Sequence, residues 1–264
     1  LGNNLNWIAD FRDFIHIHPR TRSNSIDGLR SQKQYECSIM QKADSVVMVS
    51  TGMVKIADDM FTELEEEFDA SKVQIVENGY IEQDETPAQP EVIEFIKEAR
   101  DAGKIVLYYA GTGTIAGVQR HDKLYKDLTF LFDLMQKHPE MASKYALVIQ
   151  GKVQINTKYL HGLKLKLKYK FFDGVENARL MENLKYADIG LSVNSDEIAT
   201  PYIMGGKLYD YARAGLALLL VYPKNPDSLL EFAEKHQNKP YFANIFDANS
   251  VRSVLQDIAE NPAQ

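Results

Sequence analysis

Cysteine is nearly absent from this 264-residue chain: Cys37 stands alone. A single thiol closes no intrachain disulfide, which points to a reducing compartment. Cys37 falls in a segment of helical pattern without catalytic context, so it reads as a packing residue rather than a nucleophile. Long apolar runs are lacking too, and nothing approaches the ~20 residues that cross a bilayer as a helix. Basic excess is missing: Lys and Arg number 30 against 37 Asp and Glu, a formal charge of −7. No bulk attraction to nucleic acid follows from that balance. The six histidines include no HxxxH pair. His16 and His18, two apart in IHIH, suit a strand but find no third ligand, so no metal is expected. GxSxG is absent, which removes the hydrolase elbow. No GK[ST] follows the glycine-rich turn at residues 111–117, which removes a Walker A loop.

What is present is an ordinary globular composition, 45% hydrophobic and 25% charged, long enough for two domains or one large one. Short apolar runs alternate with segments of helical period. Strands are expected at residues 7–9, 45–50, 72–76, 104–110, 146–150, 165–172, 189–193, 216–221 and 241–245. Helices are expected at 26–43, 53–68, 90–102, 122–138, 176–186, 207–214, 228–237 and 250–259. Such alternation argues for parallel sheets covered by helices on both faces. The acidic stretch EQDETPAQP, residues 82–90, has no period and reads as a linker. It divides the chain into residues 1–85 and 86–264. The basic run KLKLKYK, residues 164–170, reads as a strand with one solvated face or a basic rim to an anion site.

The stretch PYIMGGKLYDYARAG, residues 201–215, carries the most chemistry. Gly205 and Gly206 admit a close backbone approach and open a helix whose first N–H groups suit an anion. Lys207 adds a full positive charge there, and Asp210 follows three residues on, on the same face. As a bare helix surface the two make an ion pair of small worth. Gly215 stands where a helix ends. By the crevice rule for open parallel sheets, the carboxyl ends of the strands converge. Those ends bring Gly111, Thr112 and Gly113, then Gly151 with Lys152, then Asp173, Gly174 and Val175, to the loop before Lys207. Glycine amides, two lysines and carboxylates suit a nucleotide diphosphate held without covalent chemistry.

Seven segments in order (WIADFRD, ADSVVMVSTGM, VQIVENGY, VLYYAGTG, YKFFDGV, YADIGLSV and GGKLYDYARAGLALL) resemble retaining glycosyltransferases of family 4, the group 1 type. That resemblance covers nearly the whole chain. It implies GT-B architecture, two Rossmann-like domains with the active site between them. It implies donor binding by Lys207 and by Asp210, whose carboxylate would hold the ribose hydroxyls. It places Asp173, Gly174 and Val175 beside the base, and Gly111, Thr112 and Gly113 under the diphosphate. Arg120 and Lys123 are candidates for the basic residues that usually follow the glycine turn. The family's two glutamates eight apart are not both here. Asp210 stands for the second, and Tyr202 occupies the place of the first, with Asp196 or Glu197 as substitutes.

The function implied is metal-independent transfer of a sugar from a nucleotide-sugar donor to a glycan or lipid-linked acceptor, in polysaccharide biosynthesis. No cofactor is expected beyond the donor substrate. Location would be cytoplasmic, at the inner face of the membrane if the full-length protein associates peripherally. WIADFRD falls late in the family's acceptor domain, so residues 1–85 would be a remnant of that domain and residues 86–264 the donor domain. Such a fragment would bind donor without transferring sugar. Two other readings stay open: a non-catalytic nucleotide-sugar-binding module, and a nucleotide-sugar epimerase on the same fold.

Overall fold

A computed structural model describes residues 6–18, 21–79, 86–116, 127–195, 205–224 and 227–261. The chain divides into two compact units, one built on residues 1–79 and the other on residues 80–196, 205–225 and 230–264. The division falls beside the stretch expected as a linker. Residues 80–85 of that region lie outside the described residues.

The first unit runs β1 (Ile8–Phe11), α1 (Ile26–Lys42), β2 (Ser45–Met48), α2 (Thr51–Glu63), a 3-10 turn (Ala70–Lys72) and β3 (Val73–Ile75). Its strands pair in parallel in the order β1-β2-β3. Ser25 caps α1 by accepting from Gly28 N at 3.1 Å, and Ser50 caps α2 by accepting from Met53 N at 3.3 Å. Each satisfies an N–H that a helix start leaves open. Helix α2 stops at Glu63, five residues short of the expected end. The acidic run that follows would oppose the negative pole of a longer helix. Cys37 is buried in the core with Phe14, Met40, Met48 and Phe61. Desolvation, then the Glu66 and Glu36 carboxylates, push its thiol up to about 12. It therefore stays protonated and unreactive. His16 is tied to the fully buried Glu36, whose other oxygen accepts from Ile15 N.

The second unit runs α3 (Pro90–Asp101), β4 (Ile105–Ala110), β5 (Gly113–Ile115), α4 (Thr129–Lys137), α5 (Pro139–Ser143), β6 (Tyr145–Gln150), β7 (Val153–Ile155), α6 (Thr157–Gly162), β8 (Lys168–Phe172), α7 (Asn177–Leu184), β9 (Ile189–Val193), α8 (Gly206–Arg213), β10 (Ala217–Tyr222), α9 (Asp227–Lys235), β11 (Pro240–Asn244) and α10 (Ala248–Glu260). Six strands form one parallel sheet in the order β11-β10-β9-β4-β6-β8. β6, β9 and β10 are buried along their whole length, as strands covered on both faces must be. Leu107, Leu147, Leu191 and Leu219 point to one face, in a single cluster with Phe132 of α4 and Leu255 of α10. Helix α3 covers the other face, where Phe95 meets Phe172 edge-on.

Two expectations change here. The glycine-rich stretch read as a turn at residues 111–117 is not turn throughout. After Gly111 the chain re-enters a short strand, β5, which pairs in parallel with β7. The basic run is not a strand throughout: only its last part, from Lys168, joins the sheet, as edge strand β8. There Lys168 bonds Glu98 at 2.7 Å and lies over the Phe95 ring.

Candidate functional site

The chain enters the six-stranded sheet at its centre, on β4. It then builds outward through β6 and β8 on one side before returning to build β9, β10 and β11 on the other. The reversal lies between β4 and β9, and ligands of open α/β sheets bind outside the strand ends at such a point.

Three neighbouring strands leave the sheet through glycine. β4 leads into Gly111 with φ +125°, and β6 into Gly151 with φ +129°. These are conformations that side chains other than hydrogen disfavour. A Cβ on Gly151 would fall 2.2 Å from the Gly111 carbonyl oxygen, and one on Gly174 would lie 3.6 Å from the Gly151 Cα. The sequence-predicted Gly111, Gly151 and Gly174 are thus brought together as one row without side chains. Their N–H groups are largely spent on the ladder. Gly111 N donates to Gln150 O at 2.9 Å, Gly151 N to Phe172 O at 3.0 Å, and Gly113 N to Lys152 O at 3.2 Å. The row offers closeness of approach rather than free amides.

Helix α8 supplies the charged groups. Its N-cap is Gly205, and no side chain caps it. The Lys207 Nζ lies 4.3 Å from the centre of the Tyr109 ring and 3.8 Å from where a Gly111 Cβ would be. The lysine is thereby held over the β4 exit, with the aromatic face contributing a cation–π attraction. Asp210 does not serve as the simple helix-surface partner of Lys207. Its Oδ1 accepts from Asn177 Nδ2 at 3.1 Å. Desolvation raises its carboxyl above the ordinary 3.8, while Asn177 and the charge of Arg213 pull the other way. Such a carboxylate gains from any donor that reaches it.

Tyr211 locks this helix onto the switch point. Its ring is fully buried over Gly190. Its hydroxyl accepts from Ala110 N at 2.9 Å and donates to Leu191 O at 3.2 Å, joining the end of β4 to the middle of β9. Burial pushes the phenol well above its usual value, so it stays neutral and keeps its proton to donate.

Beneath the glycine row lies a buried amide network that periodicity did not reveal. Gln150 Oε1 accepts from Tyr108 OH and from Asn183 Nδ2, while Gln150 Nε2 donates to Gln89 Oε1 and Asp173 O. Asn183 Oδ1 accepts from Gln89 N at 2.8 Å. Gln89 is the N-cap of α3, so the end of the expected linker is bound rather than loose. The available signal was polar amides inside apolar segments, Gln150 ending ALVIQ and Asn183 inside a helical pattern.

Of the other sequence-predicted residues, Lys152 and Asp173 are exposed at the ends of β6 and β8, Val175 is half-buried, and Thr112 accepts the Tyr109 hydroxyl on its carbonyl. Arg120, Lys123, Asp196, Glu197 and Tyr202 lie outside the described residues. Among the described residues no cluster of three His, Cys, Asp or Glu could hold a metal, and no helix is long and apolar enough to cross a membrane.

No protein-family model matches the sequence, and no curated protein sequence does either. Solved structures do. HepE from Anabaena, crystallised with UDP, is 14% identical with a TM-score of 0.59 over 96% of this chain and 62% of its own. The sucrose-phosphate synthase of Thermosynechococcus elongatus is 12% identical with a TM-score of 0.58 over 99% of this chain and 60% of its own. An Escherichia coli trehalose-6-phosphate protein bound with UDP-2-fluoro glucose is 15% identical with a TM-score of 0.59 over 99% of this chain and 61% of its own. The chain thus spans about three-fifths of the length of these proteins. At such identities the likeness is one of fold: the chain has the α/β architecture with parallel sheets found in GT-B glycosyltransferases.

Proposed function

We propose that this chain carries the donor-binding part of a glycosyltransferase, holding a nucleotide sugar at the switch point of its six-stranded sheet. The observation that carries the reading is the convergence of Gly111, Gly151 and Gly174 with Lys207 and Asp210. A glycine row admits a diphosphate close to the backbone. Lys207 and the N-terminus of α8 supply positive charge. Asp210 supplies an acceptor for ribose hydroxyls, with Asp173, Gly174 and Val175 beside the base. Thr112, Gly113 and Lys152 complete the rim, and Arg120 and Lys123 are the further cations proposed for it. Support from similar folds is that HepE is seen with UDP and with UDP-glucose.

The finer reading is retaining transfer to a glycan or lipid-linked acceptor in polysaccharide biosynthesis, without a divalent ion and in the cytoplasm. Acceptor groups would lie in the part of a full-length protein that precedes residue 86. Nucleotide binding, measured by calorimetry, should therefore survive EDTA and weaken as salt rises, because part of the attraction is between exposed charges. Loss of binding in EDTA with recovery on adding magnesium would overturn the metal-free reading.

Asp210→Ala tests the site itself. Affinity for UDP, GDP or ADP should drop by about 1.5–3 kcal/mol, the range for hydrogen bonds to a charged group. In the wild type, binding should also fade as pH drops through the raised Asp210 value, above 3.8, because the ligand needs the carboxylate. Stability moves the opposite way. An acid whose folded pKa is raised confers its full stability below 3.8 and loses it as pH rises through the folded value. The variant should accordingly melt no lower than the wild type at pH 7. If Asp210→Ala binds all three nucleotides as the wild type does, Asp210 is not the ribose ligand.

A further inference from the structure

Asn177 and Asp210 come from different crossings of the sheet. Asn177 is the first residue of α7, just past the β8 exit, and Asp210 stands just over a turn into α8. The 3.1 Å bond between them joins the two. A carboxylate only accepts, so the amide must present its Nδ2 to Asp210 and its Oδ1 to the other side. One carboxylate oxygen is thereby engaged. Asp210 Oδ2 and Asn177 Oδ1 remain as acceptors, and among the described residues neither has a hydrogen-bond partner. Two acceptors linked through one hydrogen bond can each meet one of two adjacent hydroxyl donors, the chemistry of a vicinal diol. A deoxysugar would leave one of them unmet in a partly desolvated site, which is how hydrogen-bonding sites reject analogues that lack a hydroxyl.

We infer that Asn177 is a positioning residue for Asp210 and sets the preference of the site for a ribose over a deoxyribose nucleoside diphosphate. This rests on the donor site proposed above. Among the described residues, the charge that bears on the Asp210 carboxyl is that of Arg213, about one turn on along the same helix. It draws the carboxylate along α8, whereas Asn177 draws it toward the strand ends.

The test compares wild type, Asn177→Ala, Asn177→Asp and Asn177→Ser in two measurements. The first needs no ligand: carbon-detected NMR titration of the Asp210 carboxyl. Loss of the Asn177 donor should move its midpoint upward, and Asn177→Asp should move it further by placing a second carboxyl beside it. The second is calorimetry with UDP, GDP and ADP and their 2′-deoxy and 3′-deoxy forms. Asn177→Ala should lose roughly 5–20-fold in affinity for the ribose form that binds best and much less for its deoxy forms, so that discrimination collapses. Asn177→Ser, which keeps a short donor, should recover part of the discrimination. An unchanged Asp210 midpoint in Asn177→Ala overturns the inference whatever the ligands do. So does wild-type discrimination in that variant while Asp210→Ala still loses binding, in which case the donor site stands without Asn177. If the wild type binds none of the nucleotides, the donor site falls and the preference falls with it.

Discussion

Gly151→Ala should destabilise the second unit strongly. The added methyl would meet the Gly111 carbonyl oxygen at 2.2 Å and its carbon at 2.9 Å, with the backbone at φ +129°. Both partners are main chain, so no rotamer change relieves the clash. Backbone strain of this kind costs about 1–3 kcal/mol, and overpacking adds a further ~1–3 kcal/mol. The combined loss, roughly 2–6 kcal/mol, is a large part of the ~5–15 kcal/mol that stabilises a typical domain. For a unit of this size each kcal/mol lowers the melting temperature by about 2–4 °C. Calorimetry should show a drop on the order of 5–20 °C by that conversion. Gly103→Ala is the control. Its φ is +69°, but a Cβ there meets nothing within 4 Å, so only the backbone term remains, about 1–2 kcal/mol. If Gly151→Ala melts with Gly103→Ala, the close approach of the β4 and β6 exits is not real.

Gly190→Ala should cost as much, for a different reason. A Cβ there would fall 2.4 Å from Tyr211 Cγ and 2.5 Å from Cδ2. These atoms are the root of a buried ring, not the end of a flexible chain. Moving the ring also withdraws its hydroxyl from Ala110 N and Leu191 O. Each buried backbone group left unpaired costs about 1–3 kcal/mol, in addition to ~1–3 kcal/mol of overpacking. Nucleotide binding should weaken too, because Lys207 and Asp210 ride on the same helix. A double-mutant cycle with Tyr211→Ala separates this from a general intolerance of β9. With the ring gone, the added methyl at 190 should cost far less, giving a coupling within the 0.5–3 kcal/mol range seen for contacting residues. Additive losses would show that Gly190 is small for some reason other than Tyr211.

Much of the second unit was legible in the sequence. The strand expected at 189–193 is the observed β9, and helix α3 begins at Pro90 as expected, because proline suits a first helical turn. The elements that escaped were short. β7 and α6 occupy VQI and TKYLHG, too brief for a period of either kind to declare itself. β5 escaped because GTGTI carries the marks of a turn, and only its partner β7 makes it a strand. The site divided along the same line. Gly111, Lys207 and Asp210 stood out by type and spacing. Asn177, Gln150, Asn183 and Tyr211 did not, since their roles depend on partners 33, 61, 94 and 101 residues away.

By itself the sequence determined the class of the fold and the edge of the sheet where chemistry collects. Strands buried on both faces appear as unbroken apolar runs, and helices that cover them appear as periodic ones. Each run's end marks a strand's carboxyl end without reference to any other part of the chain. Only the tertiary structure decided that β4 lies at the centre, with the strand order reversing beside it. Only there does Gly151 press on Gly111 and Asp210 turn from Lys207 to Asn177. The physical reason is that parallel pairing joins segments far apart in the chain. Nothing local to a residue records which strand will lie beside it.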